Sequence, residues 1–217
     1  MDYRQLGRSN LNVSAIALGT MTWGEQNTQD EAFEQIEYAK NAGINFLDTA
    51  EMYPVPPKAE TYATTERYIG NWFKARGDRA DWVLASKIAG PGNTIDYIRD
   101  GNLKHNRAHI VQALDASLKR LQTDWIDLYQ LHWPERSTNF FGQLGYTHKA
   151  DEDFTPLEDT LEALDEQVKA GKIRHIGLSN ETPWATMKFL QLAESRGWPR
   201  AVSIQNPYNL LNRSFEV

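Results

Sequence analysis

Short apolar runs alternate with longer amphipathic segments along the chain. The short runs are almost continuously apolar, which is typical of strands buried on both faces. The longer segments repeat apolar residues three or four positions apart, as one face of a helix does. The first 19 residues predict a hairpin that leads into the first strand. The pattern predicts strands at residues 13–18, 44–47, 82–85, 125–131, 173–178 and 201–205, with a helix between each consecutive pair.

Polar capping residues and glycines mark the ends of the predicted helices. Thr28 with Glu31, and Thr155 with Glu158, have the three-residue spacing of a capping box. Other helix ends are marked by single N-cap residues and by C-cap glycines. These residues are Thr64 or Thr65, Asn106 and Thr182 at the starts, and Gly43, Gly171 and Gly197 at the ends.

Strict alternation of strands and helices predicts an α/β fold with a parallel sheet, either doubly wound or closed into a barrel. No Gly-x-Gly-x-x-Gly segment follows the first strand, which weakens the interpretation as a Rossmann domain. A closed barrel has eight strands and typically about 250 residues, whereas these 217 residues predict six strands. We expect one domain over residues 1–217, cut short after the sixth strand, with functional or mobile loops at 54–63 and 134–153.

Composition and charge narrow the range of partners and sites. The net charge of −6 argues against nucleic acid or an anionic membrane as the main partner. The chain has no cysteine, which excludes disulfides, thiolate catalysis and zinc–thiolate sites. No apolar run is long enough for a membrane helix, and the first residues lack the apolar segment of a secretory signal. The expected location is therefore the cytoplasm.

Four polar residues lie at or just past the ends of predicted strands: Asp48, Tyr53, Lys87 and His132. Open ends of parallel strands are where α/β enzymes keep their reactive groups. A lysine ammonium would stabilise the phenolate of Tyr53 and lower its pKa, and Asp48 would keep Lys87 charged. His132 could orient or polarise a carbonyl oxygen. Together these residues predict an acid–base site that delivers a proton to an oxygen gaining negative charge.

Each of the four residues also has a plain structural interpretation. Asp48 could cap a short helix, and Tyr53 could be a packed loop aromatic. Lys87 could be a solvated surface charge, and His132 a hydrogen-bonded histidine at a strand end. Taken singly, these interpretations are as good as the catalytic ones, but together they are weakened because all four residues occupy the same edge of the sheet.

A second polar group follows the fifth and sixth predicted strands: Ser179, Asn180 and Gln205. Their hydroxyl and amide groups could bind the carboxamide of a nicotinamide ring. Considered alone, these residues are better explained as the start of a helix and a turn.

Several segments match one known family and together span nearly the whole chain. They are residues 18–24, 45–53, 86–87, 117–121, 124–132, 171–180 and 205–209. On these segments the chain resembles the aldo-keto reductases and looks closest to the bacterial Tas-like members. The resemblance implies a (β/α)8 TIM barrel that binds NADP(H) without a Rossmann domain. It also implies hydride transfer to an aldehyde or ketone, with a small-molecule carbonyl compound as the substrate and no metal.

The resemblance assigns a role to each candidate residue. Tyr53 would be the general acid, Lys87 would lower its pKa, Asp48 would hold Lys87, and His132 would orient the carbonyl. The substrate pocket would be lined by Trp23 and Trp133, for which a scaffold role is an equal alternative. The cofactor contacts would be Ser179, Asn180 and Gln205 on the carboxamide, together with Gly19, Thr20 and Met21.

The chain departs from the family pattern in two places. Tyr53 runs into a proline-rich stretch about eight residues longer than is usual, as in the Tas-like group. The family's main phosphate-binding loop and the aromatic residue that stacks on the nicotinamide follow strands seven and eight, and these two βα units are missing here. We therefore expect a fragment, or else a short protein that completes its barrel by association.

One alternative function follows from the same resemblance. Some barrels of this family are regulatory subunits that hold cofactor and bind a partner protein with little turnover. Phe140, Phe141 and Tyr146 in the loop 134–153 could form such a docking surface.

Overall fold

The computed structural model describes residues 1–141, 143 and 145–213. A hairpin of β1 (Tyr3–Gln5) and β2 (Asn12–Ser14) precedes the main sheet. The strands of the main sheet are β3 (Leu18–Gly19), β4 (Phe46–Asp48), β5 (Val83–Ile88), β6 (Ile126–Leu131), β7 (Ile173–Ser179) and β8 (Ala201–Gln205). The helices are α1 (Gln29–Asn41), α2 (Thr64–Arg76), α3 (Arg107–Leu121), α4 (Leu157–Lys169) and α5 (Pro183–Arg196), with short 3-10 turns at Arg79–Asp81 and Arg99–Gly101.

The main sheet runs in chain order from β3 to β8, and every neighbouring pair of strands in it is parallel. A helix connects each strand to the next, as parallel pairing requires. Within the described residues, these six strands curl into part of a barrel. The predicted fold class, an α/β (β/α)8 barrel represented through about its sixth strand, is therefore confirmed.

The first predicted strand, residues 13–18, is wrong as a single element. Val13 belongs to the antiparallel hairpin, whereas Leu18 belongs to the parallel sheet. The residues between them, 15–17, are exposed. Ser14 donates its hydroxyl to the main-chain oxygen of Ile16 over 2.7 Å, and such a local side-chain bond competes with strand pairing. The hairpin expected in this region is confirmed.

Most predicted helix ends are confirmed. At the start of α1, Thr28 and Glu31 form the complete capping box. Asn106 and Thr182 accept backbone N–H groups at the starts of α3 and α5. Gly43, Gly171 and Gly197 each have a positive φ just past a helix, as expected.

The cap expected for α2 is not formed. The helix begins at Thr64, and the residue before it, Ala63, has φ 59° and no side chain that could cap. Thr65 donates its hydroxyl to the main-chain oxygen of Trp23 over 2.7 Å. Its side chain therefore anchors the β3–α1 loop to α2.

The capping box expected from Thr155 and Glu158 is also wrong. Pro156 occupies the cap position of α4 and makes no side-chain cap hydrogen bond. Thr155 lies before the helix and donates its N–H to Glu135 Oε1 over 2.8 Å. Glu135, at the start of the 134–153 loop, therefore accepts the N–H of Thr155 that the capping box would have given to Glu158.

Two apolar clusters organise the interior. The larger one combines side chains of the main sheet with those of α1 to α5. The smaller cluster, which we call the loop cluster, lies where the chain leaves β4, β5 and β6, and consists of Ala50, Met52, Tyr53, Ala89, Ile95, Ile98, Leu103 and Trp133.

None of the described helices is long and apolar enough to span a bilayer, and no group of three potential metal ligands occurs among the described residues.

Candidate active site

Three neighbouring strands place polar residues at the same edge of the sheet. Asp48 is the last residue of β4, Lys87 is the last but one of β5, and His132 follows β6 directly. Lys87 and Gln130 are partners in the β5–β6 register. Because side chains alternate between the two faces of a strand, both residues lie on the inner face, away from the helix-facing pair Ser86 and Tyr129.

A buried ion pair joins β4 to β5 at this edge. Lys87 Nζ lies 2.7 Å from Asp48 Oδ2 and donates a second hydrogen bond of 2.9 Å to the main-chain oxygen of Thr49. The Lys87 side chain is 1% exposed. A charge buried this deeply needs an ion pair and hydrogen bonds to offset the loss of water around it, and Asp48 and Thr49 supply them.

Tyr53 lies above this pair. Its ring centroid is 5.0 Å from Lys87 Nζ and 5.6 Å from the His132 ring, which it meets edge to face. The Tyr53 side chain is buried in the loop cluster. The structure therefore brings the four predicted catalytic residues, Asp48, Tyr53, Lys87 and His132, into one group.

The pKa of Tyr53 is shifted upward, whereas the sequence predicted a downward shift. Burial is the largest influence and raises the pKa of the phenol above its ordinary value, Lys87 lowers it, and Asp48 raises it. Lys87 thus acts in the expected sense, but the loss of water around the phenol outweighs it. The phenol is protonated at neutral pH, as a proton donor must be.

His132 is a neutral imidazole at neutral pH. Burial, followed by the charge of Lys87 and the proximity of His105, holds the pKa of His132 well below its ordinary value. Its Nδ1 makes no hydrogen bond to the described residues. The ring stacks at a tilt against Trp133, with centroids 4.8 Å apart. A neutral imidazole in this position can orient a carbonyl oxygen by hydrogen bonding.

The predicted carboxamide contacts lie beside this group. Ser179 ends β7, Asn180 follows it, and Gln205 ends β8. Asn180 has φ 52° and donates its side-chain amide to Ser179 Oγ over 3.1 Å and to the main-chain oxygen of His132 over 2.9 Å. Gln205 Nε2 lies 3.3 Å from Asp48 Oδ2. Hydroxyl and amide groups therefore adjoin the ion pair.

Gln130 is a member of the site that the sequence analysis did not identify. Its Nε2 lies 3.4 Å from both Asp48 Oδ1 and Gln205 Oε1. Its buried side-chain amide therefore bridges the Lys87–Asp48 ion pair and Gln205, one of the residues predicted to bind a carboxamide. The available signal was a polar side chain inside an apolar run, two positions before His132. The alternation of faces would have placed it beside Lys87.

The three residues predicted to contact cofactor at the end of β3 have different environments. Gly19 pairs with Asp48 in the sheet register, and its Cα faces open space. Thr20 is fully buried and donates its hydroxyl to the main-chain oxygen of Asp48 over 2.8 Å. Met21 is 49% exposed. Gly19 and Met21 are accessible to a ligand, whereas the Thr20 side chain holds β3 to β4.

The two tryptophans predicted to line the substrate pocket are separated. Trp23 is 0% exposed, packs in the larger core and donates its indole N–H to Gln35 Oε1 over 2.8 Å. This placement favours its scaffold alternative. Trp133 packs against His132 and lies 5.4 Å from the ring of Phe141, on the loop that follows β6. Of the two, Trp133 therefore adjoins the group formed by Asp48, Tyr53, Lys87 and His132.

Comparisons with known proteins agree with the fold. The model of the aldo/keto reductase family matches residues 15–216. Protein tas of Escherichia coli (strain K12) is 52% identical over 217 residues, which are 100% of this chain and 63% of that protein. The expected likeness to Tas-like members is therefore confirmed.

More distant relatives include proteins whose names describe oxidoreductases. The uncharacterized oxidoreductase YrpG of Bacillus subtilis is 36% identical over 222 aligned positions, with 100% of this chain and 61% of that protein covered. Versiconal hemiacetal acetate reductase of Aspergillus parasiticus is 31% identical over 238 aligned positions, with 100% and 62% covered. The chain spans about three fifths of the length of these curated relatives.

Proposed function

The chain belongs to the aldo/keto reductase family, and on this basis we propose that the protein reduces aldehyde or ketone carbonyls to alcohols with NADPH. The observation that carries the proposal is the grouping of Tyr53 with Lys87, Asp48 and His132 at the carboxyl edge of a parallel sheet. This set combines a protonated phenol, a buried ammonium and a neutral imidazole. It matches a reaction in which a carbonyl oxygen gains negative charge.

The proposed proton path begins at Tyr53. NADPH, when bound, would supply the hydride that the carbonyl carbon accepts. The phenol of Tyr53 donates its proton to the carbonyl oxygen. Lys87 stabilises the phenolate that remains, because its ammonium faces the Tyr53 ring. Asp48 keeps that ammonium charged, and His132 orients the carbonyl oxygen toward the phenol. General acid catalysis of this kind contributes typically about 10²- to 10⁴-fold.

The polar groups beside the ion pair fit a nicotinamide carboxamide. Such a carboxamide offers an amide donor and an oxygen acceptor, and Ser179, Asn180 and Gln205 present complementary hydroxyl and amide groups. When the cofactor binds, Gln205 would give up its long contact with Asp48 and hydrogen-bond the carboxamide instead. Holding the ring here would place it beside Tyr53, so that donor and acceptor are positioned before reaction.

The aromatic side chains next to His132 suit apolar carbonyl compounds. Trp133 and Phe141 form an edge-to-face pair, and Phe141 is 58% exposed. We propose that Trp133 forms part of the substrate wall and that Trp23 does not. The cytoplasm stays the proposed location.

The proposal is tested with the full-length gene product and a panel of aldehydes and ketones. Steady oxidation of NADPH that depends on the carbonyl compound, with the alcohol found as product, is the expected result. NADPH binding without turnover on any member of the panel would contradict the reductase proposal. That outcome would favour the regulatory alternative, for which the exposed aromatic rings of Phe141 and Tyr146 are a candidate contact surface.

A further inference from the structure

A second buried ion pair lies next to the candidate acid and has no part in the mechanism described so far. Arg99 donates from Nη1 to Glu51 Oε2 over 2.7 Å and from Nη2 to Glu51 Oε1 over 2.8 Å. The two side chains are 5% and 1% exposed. Two parallel N–H···O bonds between planar groups fix relative orientation as well as distance.

Glu51 also holds its own chain segment to β5. Its N–H donates to the main-chain oxygen of Lys87 over 3.1 Å, which prolongs the β4–β5 pairing beyond the end of β4. Its side-chain Oε1 then accepts the N–H of Ala89 over 2.7 Å. Glu51 is therefore tied to the chain on both sides of Ile88. Tyr53 follows only two residues later, so this anchoring sets where the phenol-bearing turn begins.

Arg99 is supplied by the loop between β5 and α3 and is itself tightly constrained. Arg99 and Asp100 have φ of 47° and 53°, in the left-handed region that residues other than glycine rarely adopt. Backbone of this kind persists where surrounding contacts determine it. Here the Glu51 carboxylate receives both ends of the guanidinium fork, which holds the loop in place.

The same loop contributes to the apolar cluster that holds the acid. Ile95, Ile98 and Leu103 belong to the loop cluster together with Tyr53 and Trp133. Residues on both sides of Arg99 thus share one apolar cluster with the Tyr53 ring. A shift of the Arg99 loop would alter the packing that fixes the distance between the phenol and Lys87.

We propose that Glu51 and Arg99 are a positioning pair, which fixes the phenol of Tyr53 relative to Lys87 and His132. This inference rests on the proposed role of Tyr53 as the proton donor. Neither side chain of the pair contacts the catalytic ion pair through a described hydrogen bond. The pair acts through the turn that leads to Tyr53 and through the loop cluster.

The chain contains a matched pair at the opposite end of the same strand. Asp127 Oδ2 accepts the N–H of Leu84, at the start of β5, over 3.0 Å and lies 2.7 Å from Arg79 Nη2. This pair is also buried and also combines a carboxylate, an arginine and a backbone N–H at one end of β5. Asp127 Oδ1 additionally accepts from Arg174 Nη1 over 2.8 Å. The pair lies away from the carboxyl edge. Substitutions in it should therefore lower stability without disturbing the position of Tyr53, which makes them the control.

The experiment compares Glu51→Gln and Arg99→Lys with Asp127→Asn and Arg79→Lys in the full-length gene product. Thermal unfolding, NADPH affinity, kcat and the ring-labelled tyrosine NMR signal of Tyr53, assigned with Tyr53→Phe, are measured for each. We expect unfolding temperatures to fall for both pairs. We expect kcat to fall about a hundredfold for Glu51→Gln, because small misplacements of reacting groups have effects of this size. It should fall by less for Arg99→Lys and stay near the parent value for Asp127→Asn and Arg79→Lys.

Further readouts distinguish positioning from a merely structural role. NADPH affinity should stay near the parent value in Glu51→Gln, while the Tyr53 signal broadens or splits. Arg99→Lys should lose less kcat than Glu51→Gln, since lysine keeps the charge but not the two-point contact. Asp127→Asn and Arg79→Lys should keep a parent-like Tyr53 signal.

The positioning role is overturned if the Tyr53 signal is unchanged in Glu51→Gln and Arg99→Lys, or changes equally in the Asp127 and Arg79 variants. Arg99→Lys, which retains the charge, decides the matter if Glu51→Gln does not fold. If the parent protein reduces no carbonyl compound, the proposed function fails. The Tyr53 signal then still decides whether the pair positions the phenol.

Discussion

Lys87 Nζ lies 2.7 Å from Asp48 Oδ2, and the ammonium faces the ring of Tyr53 at 5.0 Å. The lysine is almost completely enclosed. Without Asp48 it would be a buried charge that has no anionic partner among the described residues, with the main-chain oxygen of Thr49 left as an acceptor. The pair therefore carries both stability and the electrostatics of the site.

The first prediction concerns this pair. Asp48→Asn is expected to lower the free energy of unfolding by about 3 kcal/mol, because losing one partner of a buried ion pair leaves the other uncompensated. Urea denaturation measures the change. Asp124→Asn, at an exposed position, is the control and should leave the stability near the parent value. Equal stabilities for the two variants would show that Asp48 does not hold Lys87.

The second prediction separates the two tryptophans. Trp23→Phe should lower the free energy of unfolding by about 1–3 kcal/mol, because it removes buried volume and the hydrogen bond to Gln35. KM for carbonyl substrates should not change. Trp133→Phe should change KM, because Trp133 adjoins His132. A change of KM in Trp23→Phe alone would reverse these assignments.

The third prediction concerns acid sensitivity. Burial lowers the pKa of His105 to about 3, and burial holds the pKa of His132 well below its ordinary value. Both values lie below the unfolded-state pKa of about 6.5, so the unfolded chain binds more protons below that pH. Stability is therefore fully present above about pH 6.5 and falls as the pH drops below it, by about 1.4 kcal/mol per pH unit for each histidine.

Unfolding free energies measured between about pH 7 and pH 5, on either side of the unfolded-state histidine pKa, test this dependence. His105→Gln should reduce the slope by the contribution of one histidine. An identical slope in the parent and in His105→Gln would contradict the assignment of His105.

The fourth prediction tests the corrected start of α4. Glu135 accepts the N–H groups of His105 and Thr155 over 2.6 and 2.8 Å. Glu135→Ala should lower the free energy of unfolding by about 1–3 kcal/mol, since two partly buried donors lose their acceptor. Glu158→Ala should have a smaller effect, because Glu158 does not cap the helix. The opposite order in chemical denaturation would restore the predicted capping box.

The positions of Asp48, Lys87 and His132 could be predicted because parallel strands with short apolar runs leave their polar terminal residues at one edge. The 3.6-residue pattern and local caps such as Thr28 with Glu31 likewise predicted α1 correctly. These features depend on neighbours in sequence.

Other features depend on neighbours in space and could not be read from local patterns. Thr155 is bonded by Glu135 across a long loop, and Trp23 is enclosed by helices whose packing the sequence pattern does not specify. The pKa of Tyr53 was expected from its charged neighbours, but its direction is set by burial, which only the packed structure provides. Gln130 joined the site because the strand register placed it beside Lys87.

In the proposed reaction, Tyr53 donates the proton to the carbonyl oxygen. The most direct test is Tyr53→Phe in the full-length gene product, with NADPH and a reducible carbonyl compound mixed for a single turnover. We predict that the rate of NADPH oxidation falls by about 10²- to 10⁴-fold, because general acid catalysis is lost, while NADPH affinity stays at the parent value. Single-turnover oxidation at the parent rate in Tyr53→Phe would contradict the account.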